Sequence, residues 1–243
     1  MLKGLLKCGY FSLETEGLEN IPRRGRTVFV CNHSGWFTLD TFFVGMVMME
    51  KAGVDLQKMP YGIALDVLCR VPILKDLFSL KHSFIPSSWL KSPGTMPSGV
   101  QSIGVYPEGS EGNCKPFWQA YRMKPWKTGF VRFALERRAK IVPIVIVGGE
   151  ETFPSLWVTE KLRALLGSKF PIPAVPFPLP AKWKVAFMKP IDLAKYPKKT
   201  SEDRDACRQI AQEIQWEVQG HLDRQTKDRS LAKLSKFAGR MGL

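Results

Sequence analysis

The run Ile141-Val142-Pro143-Ile144-Val145-Ile146-Val147 is apolar throughout and mostly β-branched. Such side chains are stiff in a helix and pack well on a pleated surface, and a run without polar alternation has no face to turn to water. It therefore predicts a strand covered on both sides. Two more apolar runs, Thr27-Val28-Phe29-Val30-Cys31 and Ile103-Gly104-Val105-Tyr106, repeat the signal, with helical patterns between them. Strands alternating with helices at this spacing imply an α/β fold: a mostly parallel mixed sheet flanked by helices, in a single domain with amphipathic helices at both ends.

The remaining segments fill this plan. A helix rich in Phe and Met is expected over residues 38–51, a strand over 58–65, helical pieces broken at Pro72 over 66–80, and a short strand at 83–85. Residues 87–102 carry much Ser, Pro and Gly and predict little regular structure. A helix follows over 128–139. Residues 1–22 read as an amphipathic lead segment, with Leu2, Leu5 and Leu6 opposite Lys3 and Lys7. The α/β domain occupies 23–200, and a C-terminal helix with a basic tail occupies 201–243. In the helix expected over 201–226, Ala206, Ile210, Ile214, Val218 and Leu222 recur every fourth residue. The tail, 227–243, sets Leu231, Leu234, Phe237 and Met241 among five basic residues and one acidic, a pattern of a membrane-surface helix or of a frayed tail. Pro171, Pro173, Pro176, Pro178 and Pro180, interleaved with apolar residues, exclude a helix there and predict a segment that covers the sheet edge or touches lipid.

The chain has a net charge of +14, from 36 Lys and Arg against 22 Asp and Glu. Such a surface suits an anionic membrane, nucleic acid or acidic small molecules. No zinc-finger or RNP-type pattern supports nucleic acid, whereas seven Trp and fifteen Phe suit a lipid interface. No segment approaches the roughly 18 continuous apolar residues of a spanning helix, and the N-terminus lacks the pattern of a signal peptide. The five cysteines, 8, 31, 69, 114 and 207, have no C-x-x-C spacing, so they read as thiols of a reducing compartment and predict no metal site.

Polar clusters follow two of the strands. Asn32-His33-Ser34-Gly35 leaves the strand at 27–31, and Asp40 stands seven residues after His33. A carboxylate that fixes the imidazole tautomer makes the other ring nitrogen a general base. On a straight helix this separation spans about 10 Å, so the chain must turn back at Ser34-Gly35. Pro107-Glu108-Gly109-Ser110 leaves the strand at 103–106. Catalytic groups in such sheets gather outside the carboxyl ends of the strands, so His33 and Glu108 should face one crevice.

The motifs Asn32-His33…Asp40, Tyr106-Pro107-Glu108-Gly109-Ser110 and Ile141-Val142-Pro143-Ile144, in this order and spacing, resemble glycerolipid and lysophospholipid acyltransferases, the PlsC-like family. Gly17-Leu18-Glu19-Asn20-Ile21-Pro22, Gly129-Phe130-Val131-Arg132 and Gly148-Gly149-Glu150-Glu151 resemble a bacterial branch with the longer histidine-to-aspartate spacing. The likeness covers about residues 15–192. It implies an enzyme in which His33, oriented by Asp40, deprotonates a lysolipid hydroxyl that attacks a fatty acyl thioester, acyl-CoA or acyl carrier protein. It also implies that Glu108, Gly109 and Ser110 bind the acceptor, that no cofactor or metal takes part, and that the protein is peripheral on the cytoplasmic face of the cell membrane. Backbone N–H groups near Ser34–Trp36 or Gly109-Ser110 are candidates for the oxyanion.

The chain departs from the family pattern where an arginine usually follows a short Phe-Ile strand; here the residues are Phe84-Ile85-Pro86-Ser87-Ser88. Lys115, Arg122, Lys124, Lys127 or Arg132 are the cations available to grip a phosphate instead, with Arg132 expected to face inward. A lyso-ornithine lipid or a neutral glyceride is the alternative acceptor. Two rivals differ in class: a serine hydrolase using Ser34 or Ser110, and a catalytically silent lipid-binding protein. Ser34 and Ser110 both lack the G-x-S-x-G setting, and His82 and His221 lie in no motif.

Overall fold

The computed structural model describes residues 2–35, 38–66, 69, 84–92, 96–161 and 169–241. The strands in chain order are β1 (Phe11–Glu16), β2 (Thr27–Cys31), β3 (Tyr61–Ala64), β4 (Phe84–Pro86), β5 (Ser102–Val105), β6 (Lys140–Val147), β7 (Ser155–Thr159), β8 (Phe170–Pro173) and β9 (Ala181–Phe187). Seven of them form one sheet in the order β1-β9-β6-β2-β5-β3-β4, and β7 and β8 form a separate antiparallel ribbon. Among the described residues, the strand pairings of the large sheet are parallel except β6–β9, which makes it the mostly parallel mixed sheet the sequence implies. The helices are α1 (Leu2–Lys7), α2 (Leu39–Met46, continued by a π-turn Val47–Lys51), α3 (Ser110–Asn113), α4 (Gly129–Arg137), α5 (Gly149–Thr152), α6 (Arg204–Thr226) and α7 (Ser230–Arg240).

The two central strands show why their sequences lack alternation. From β2, Val28 and Val30 face a core shared with Phe130 and Phe133 of α4 and Ile210, Ile214, Val218 and Leu222 of α6. Phe29 and Cys31 face the opposite core, with Phe43 and Val47 from the α2 side. In β6, Ile141 and Val145 join the first core while Val142, Ile144 and Ile146 join the second. Each face is therefore buried, and a fully buried side chain of this size contributes about 1.5–3 kcal/mol. On the α2 face Phe43 stacks on Trp183 at 4.1 Å between ring centroids. Helix α6 starts where Asp203 accepts hydrogen bonds from the N–H groups of Asp205 and Ala206, at 2.9 and 3.0 Å.

Two segments differ from the sequence expectation. Residues 11–16, assigned above to the lead segment, are an edge strand of the main sheet, paired in parallel with β9 from Phe11 against Ala181 onward. The alternation Phe11, Leu13, Thr15 against Ser12, Glu14, Glu16 carries that signal, and Phe11 is buried. The proline-rich stretch is likewise more ordered than an edge cover. Residues 170–173 pair with β7, and 181–187 enter the sheet between β1 and β6, with Trp183 fully buried. The tail is helical, as α7, rather than frayed. Apart from Asp66 and Cys69, the helical pieces expected at 66–80 lie outside the described residues.

Candidate active site

His33 follows the end of β2 by two residues, and Asn32 fixes the exit. Its side-chain amide donates to the Ile146 carbonyl at 2.9 Å and its carbonyl oxygen accepts from the Ile146 N–H at 2.8 Å, so the side chain extends the β2–β6 pairing by one step. The chain then turns at Gly35, where φ is +77°, a left-handed value that glycine adopts without strain. The turn presses against α5: a Cβ on Gly149 would stand 2.6 Å from both the carbonyl oxygen and the hydroxyl of Ser34. This close approach brings α2 back to the histidine.

Asp40, in the first turn of α2, is fully buried. Its Oδ2 lies 2.6 Å from His33 Nδ1 and accepts from the Ser34 N–H at 3.0 Å, while Oδ1 accepts from the Thr41 N–H at 2.8 Å. A carboxylate at that distance assigns the proton to Nδ1 and leaves Nε2 as the acceptor, with no hydrogen-bond partner among the described residues. The Tyr106 ring stacks on the imidazole at 4.2 Å, and its hydroxyl accepts from Thr41 Oγ1 at 3.0 Å. Burial, reinforced by the Asp40 charge, pushes the Tyr106 phenol well above its ordinary range and keeps it neutral.

Glu108, just beyond the end of β5, is buried and ties two loops together. Its Oε1 accepts from the His33 N–H at 3.0 Å and its Oε2 from the Lys124 N–H at 2.7 Å. Both oxygens thus serve as a strut between two loops. Gly112 of α3 lies so close that a Cβ there would stand 2.8 Å from the His33 Cβ and 2.7 Å from that of Glu108. Gly109 opens the α3 turn, and Lys127 Nζ lies 2.9 Å from where its Cβ would be. Ser110 is the first residue of that helix.

Behind the strut lies a buried ion cluster. Lys115 Nζ is 2.9 Å from Glu150 Oε1 and 3.8 Å from Glu108 Oε2, and it donates to the Arg122 carbonyl at 3.1 Å. Glu150 Oε2 accepts from the Tyr121 N–H at 2.8 Å. Burial alone would lower the Lys115 ammonium, but the charges of Glu150 and Glu108 outweigh it and hold it above its ordinary value. Burial raises the Glu150 carboxyl against the pull of Lys115. One cation shared by two buried carboxylates produces both directions at once.

Of the five phosphate-gripping cations read from the sequence, four meet other groups of the chain. Lys115 is enclosed between carboxylates. Arg122 donates to the Ser235 carbonyl and packs on Gly239 of α7, so it holds that helix. Arg132 is half-buried, and its Nε donates to the carbonyl of the buried Ser201 at 3.2 Å. Ser201 borders a cleft with Arg26, which precedes β2, so this contact lies at the amino end of the strands, opposite His33. Lys124 Nζ meets Gln119 Oε1 at 2.6 Å, leaving the exposed Lys127 beside Gly109.

The oxyanion candidates also narrow, since the Ser34 N–H serves Asp40 and the Gly109 N–H serves the Tyr106 carbonyl at 2.9 Å. Trp36 and His82 lie outside the described residues. The Ser34 hydroxyl is buried and unbonded, and no serine hydroxyl among the described residues bonds to His33, which leaves the hydrolase reading without a serine–imidazole pair. Sequence reasoning read Lys124 for its ammonium and not for its backbone N–H, and it missed Gly112, which shows only as a glycine where no turn requires one. Among the described residues no cluster of three or more His, Cys, Asp or Glu is arranged to hold a metal.

Fold and site together define an α/β protein with a histidine–aspartate dyad at the carboxyl edge of its sheet. The acyltransferase family model matches residues 12–147, more than half of the chain, and the protein belongs to that family. It is 31% identical over 227 residues to uncharacterised proteins of Mycobacterium tuberculosis and Mycobacterium bovis, covering 88% of this chain and 62% of theirs. An uncharacterised protein of Mycobacterium leprae is 28% identical, with 60% of its length covered. The chain thus spans about three-fifths of the length of these relatives. The crystal structure of PlsC, the 1-acyl-sn-glycerophosphate acyltransferase of Thermotoga maritima, superposes with a TM-score of 0.57 at 16% identity, over 93% of this chain and 77% of that one, a likeness of fold.

Proposed function

We propose that the protein is a peripheral membrane acyltransferase that moves a fatty acyl group from acyl-CoA or acyl carrier protein to the free hydroxyl of a lysophospholipid. The observation that carries this reading is the 2.6 Å contact between His33 Nδ1 and Asp40, which leaves Nε2 free to accept the hydroxyl proton. As the acceptor oxygen attacks the thioester carbonyl, its proton passes to Nε2. The carbon–sulfur bond then breaks, and the leaving thiolate takes the proton back. Base catalysis of this kind supplies about 10²–10⁴ in rate, and positioning both substrates supplies much of the rest. The cytoplasmic supply of both donors puts the enzyme on the inner face of the membrane, and its net charge of +14 suits that anionic surface.

For a phosphate-bearing acceptor the cation that remains is Lys127. A second reading, transfer to a lyso-ornithine lipid or a neutral glyceride, is favoured by one observation. Where the family places an arginine, Ser87 Oγ and the Ser88 N–H both donate to Asp66 at 2.9 Å, so a carboxylate occupies that rim. His33→Ala should lower transfer by about 10²–10⁴ with the fold and vesicle sedimentation intact, and equal transfer by variant and wild type would sink the catalytic assignment. A panel of lysolipids with both donors separates the acceptors: Lys127→Ala should raise KM for the phosphate-bearing ones alone.

A further inference from the structure

Helix α7 carries three stripes along its length. Ala232, Ser235 and Ala238 are buried against the domain, and Arg122 holds this side through Ser235 and Gly239. Leu234, Phe237 and Met241, spaced i, i+3, i+7, form a second stripe that is 45%, 61% and 67% exposed. Lys233, Lys236 and Arg240 repeat the same spacing one position earlier and form a third, exposed and without ion pairs among the described residues. Single exposed apolar residues are ordinary on a protein surface; a continuous apolar stripe edged by unpaired cations is not.

The chemistry of the two outer stripes selects an occupant. An apolar stripe seats in the acyl boundary of a bilayer while the neighbouring cations meet anionic headgroups. A second copy of the chain would bring the same cations together across a two-fold axis, and like charges juxtaposed at an interface are strongly unfavourable. Placement supports the same occupant. Helix α7 packs on the turn Phe117–Gln119, and β7, with Leu156 and Trp157 exposed, meets that turn as well. Pro116, Phe117 and Ala120 line a small cleft with Gly35 and Glu150, beside the His33 loop.

We infer that α7, together with the Leu156-Trp157 edge of β7, is the face by which the protein docks on an anionic phospholipid bilayer. This rests on the reading of the protein as one that acts on lipids and deepens it by naming the surface. Docking there brings the His33 loop toward the leaflet that holds the acceptor.

Sedimentation with vesicles tests this without requiring catalysis. The full chain should bind phosphatidylglycerol-rich vesicles and bind pure phosphatidylcholine weakly. Reversing the charge of Lys233, Lys236 and Arg240 together should weaken anionic-vesicle binding by about 100-fold at low salt. The pair Leu234→Ser and Phe237→Ser should weaken it even at high salt, and Trp157→Ser should add to that loss. Far-ultraviolet circular dichroism and thermal melting verify that each variant is folded, and Lys227→Glu, before the helix, serves as a folded charge control. Transfer to a water-soluble short-chain acceptor should stay unchanged in all of these variants, and its absence in wild type would count against the proposed function while leaving the docking result standing. Unchanged vesicle binding in the folded α7 variants would overturn the inference, as would a wild-type dimer that dissociates in the Leu234 and Phe237 variant with vesicle binding retained.

Discussion

Glu108 holds the backbone N–H of His33 at 3.0 Å, while its other oxygen holds that of Lys124 at 2.7 Å. In the proposed mechanism the carboxylate is therefore a positioning group for the base. Glu108→Ala leaves the buried His33 N–H unsatisfied, at about 1–3 kcal/mol, and frees the part-buried Lys124 N–H as well. Steady-state kinetics at a temperature where the variant is folded should show a fall in kcat with the acceptor KM little changed. A rise in KM at constant kcat would return Glu108 to acceptor binding.

The contact of Gly149 with Ser34 makes a second site sensitive to one methyl group. Gly149→Ala would place its Cβ 2.6 Å from Ser34 backbone and side-chain oxygens alike, so no flexible side chain can simply swing away. The loop must shift, at about 1–3 kcal/mol of stability. A displacement of about 1 Å at a base costs about 10²-fold in rate. Denaturant unfolding and kcat are the measurements, and an alanine variant with wild-type values of both would contradict the packing.

Lys115 carries the charge of the cluster behind the strut. Lys115→Met should destabilise the fold by about 3–5 kcal/mol, because Glu150 and Glu108 are left buried without their cation, and a further Glu150→Gln should restore part of the loss. The pH dependence has a definite sign. Glu150 already has a raised folded pKa, so its contribution to stability is complete below its unfolded value and is lost as pH rises through the folded one. Without Lys115 that pKa rises further. The melting temperature of the variant should therefore recover toward wild type as pH falls from about 8 to about 5.

The thiols provide a test of the packed sheet. Burial pushes the Cys114 thiol from 9.0 up to about 12, raises Cys207, and, with the Asp40 charge, raises Cys31 well above its ordinary value. Cys8 is exposed. At mildly alkaline pH a small disulfide reagent should modify Cys8 at once, and Cys31, Cys114 and Cys207 only at the rate of unfolding, as peptide mapping would reveal. Since the folded pKa of Cys114 is raised, its share of stability is complete below about 9 and is lost as pH rises through about 12. Rapid labelling of Cys114 in the native protein at neutral pH would refute its burial.

The central sheet and the dyad were legible because each leaves a local signature. Strands β2 and β6 announce double burial by the absence of alternation, and a histidine just past one of them with an aspartate one loop away follows the same sheet logic. The edge strand β1 was hidden by its partner, which lies beyond a proline-rich stretch that discourages any strand assignment. The fate of the cations was equally hidden. Arg122, Arg132 and Lys115 look alike in a basic segment, yet one grips a helix backbone, one a distant turn and one a pair of carboxylates. Only tertiary neighbours distinguish them.

The pairing of β1 with β9 also bears on how the chain is made. Phe11 waits for Ala181 to leave the ribosome before the strand has its neighbour, so until then its N–H and C=O groups lack their strand partner. Contacts so distant in sequence close slowly, and an unpaired strand in the interval invites association with other chains. Exposed glutamates at 14 and 16 interrupt that invitation with charge.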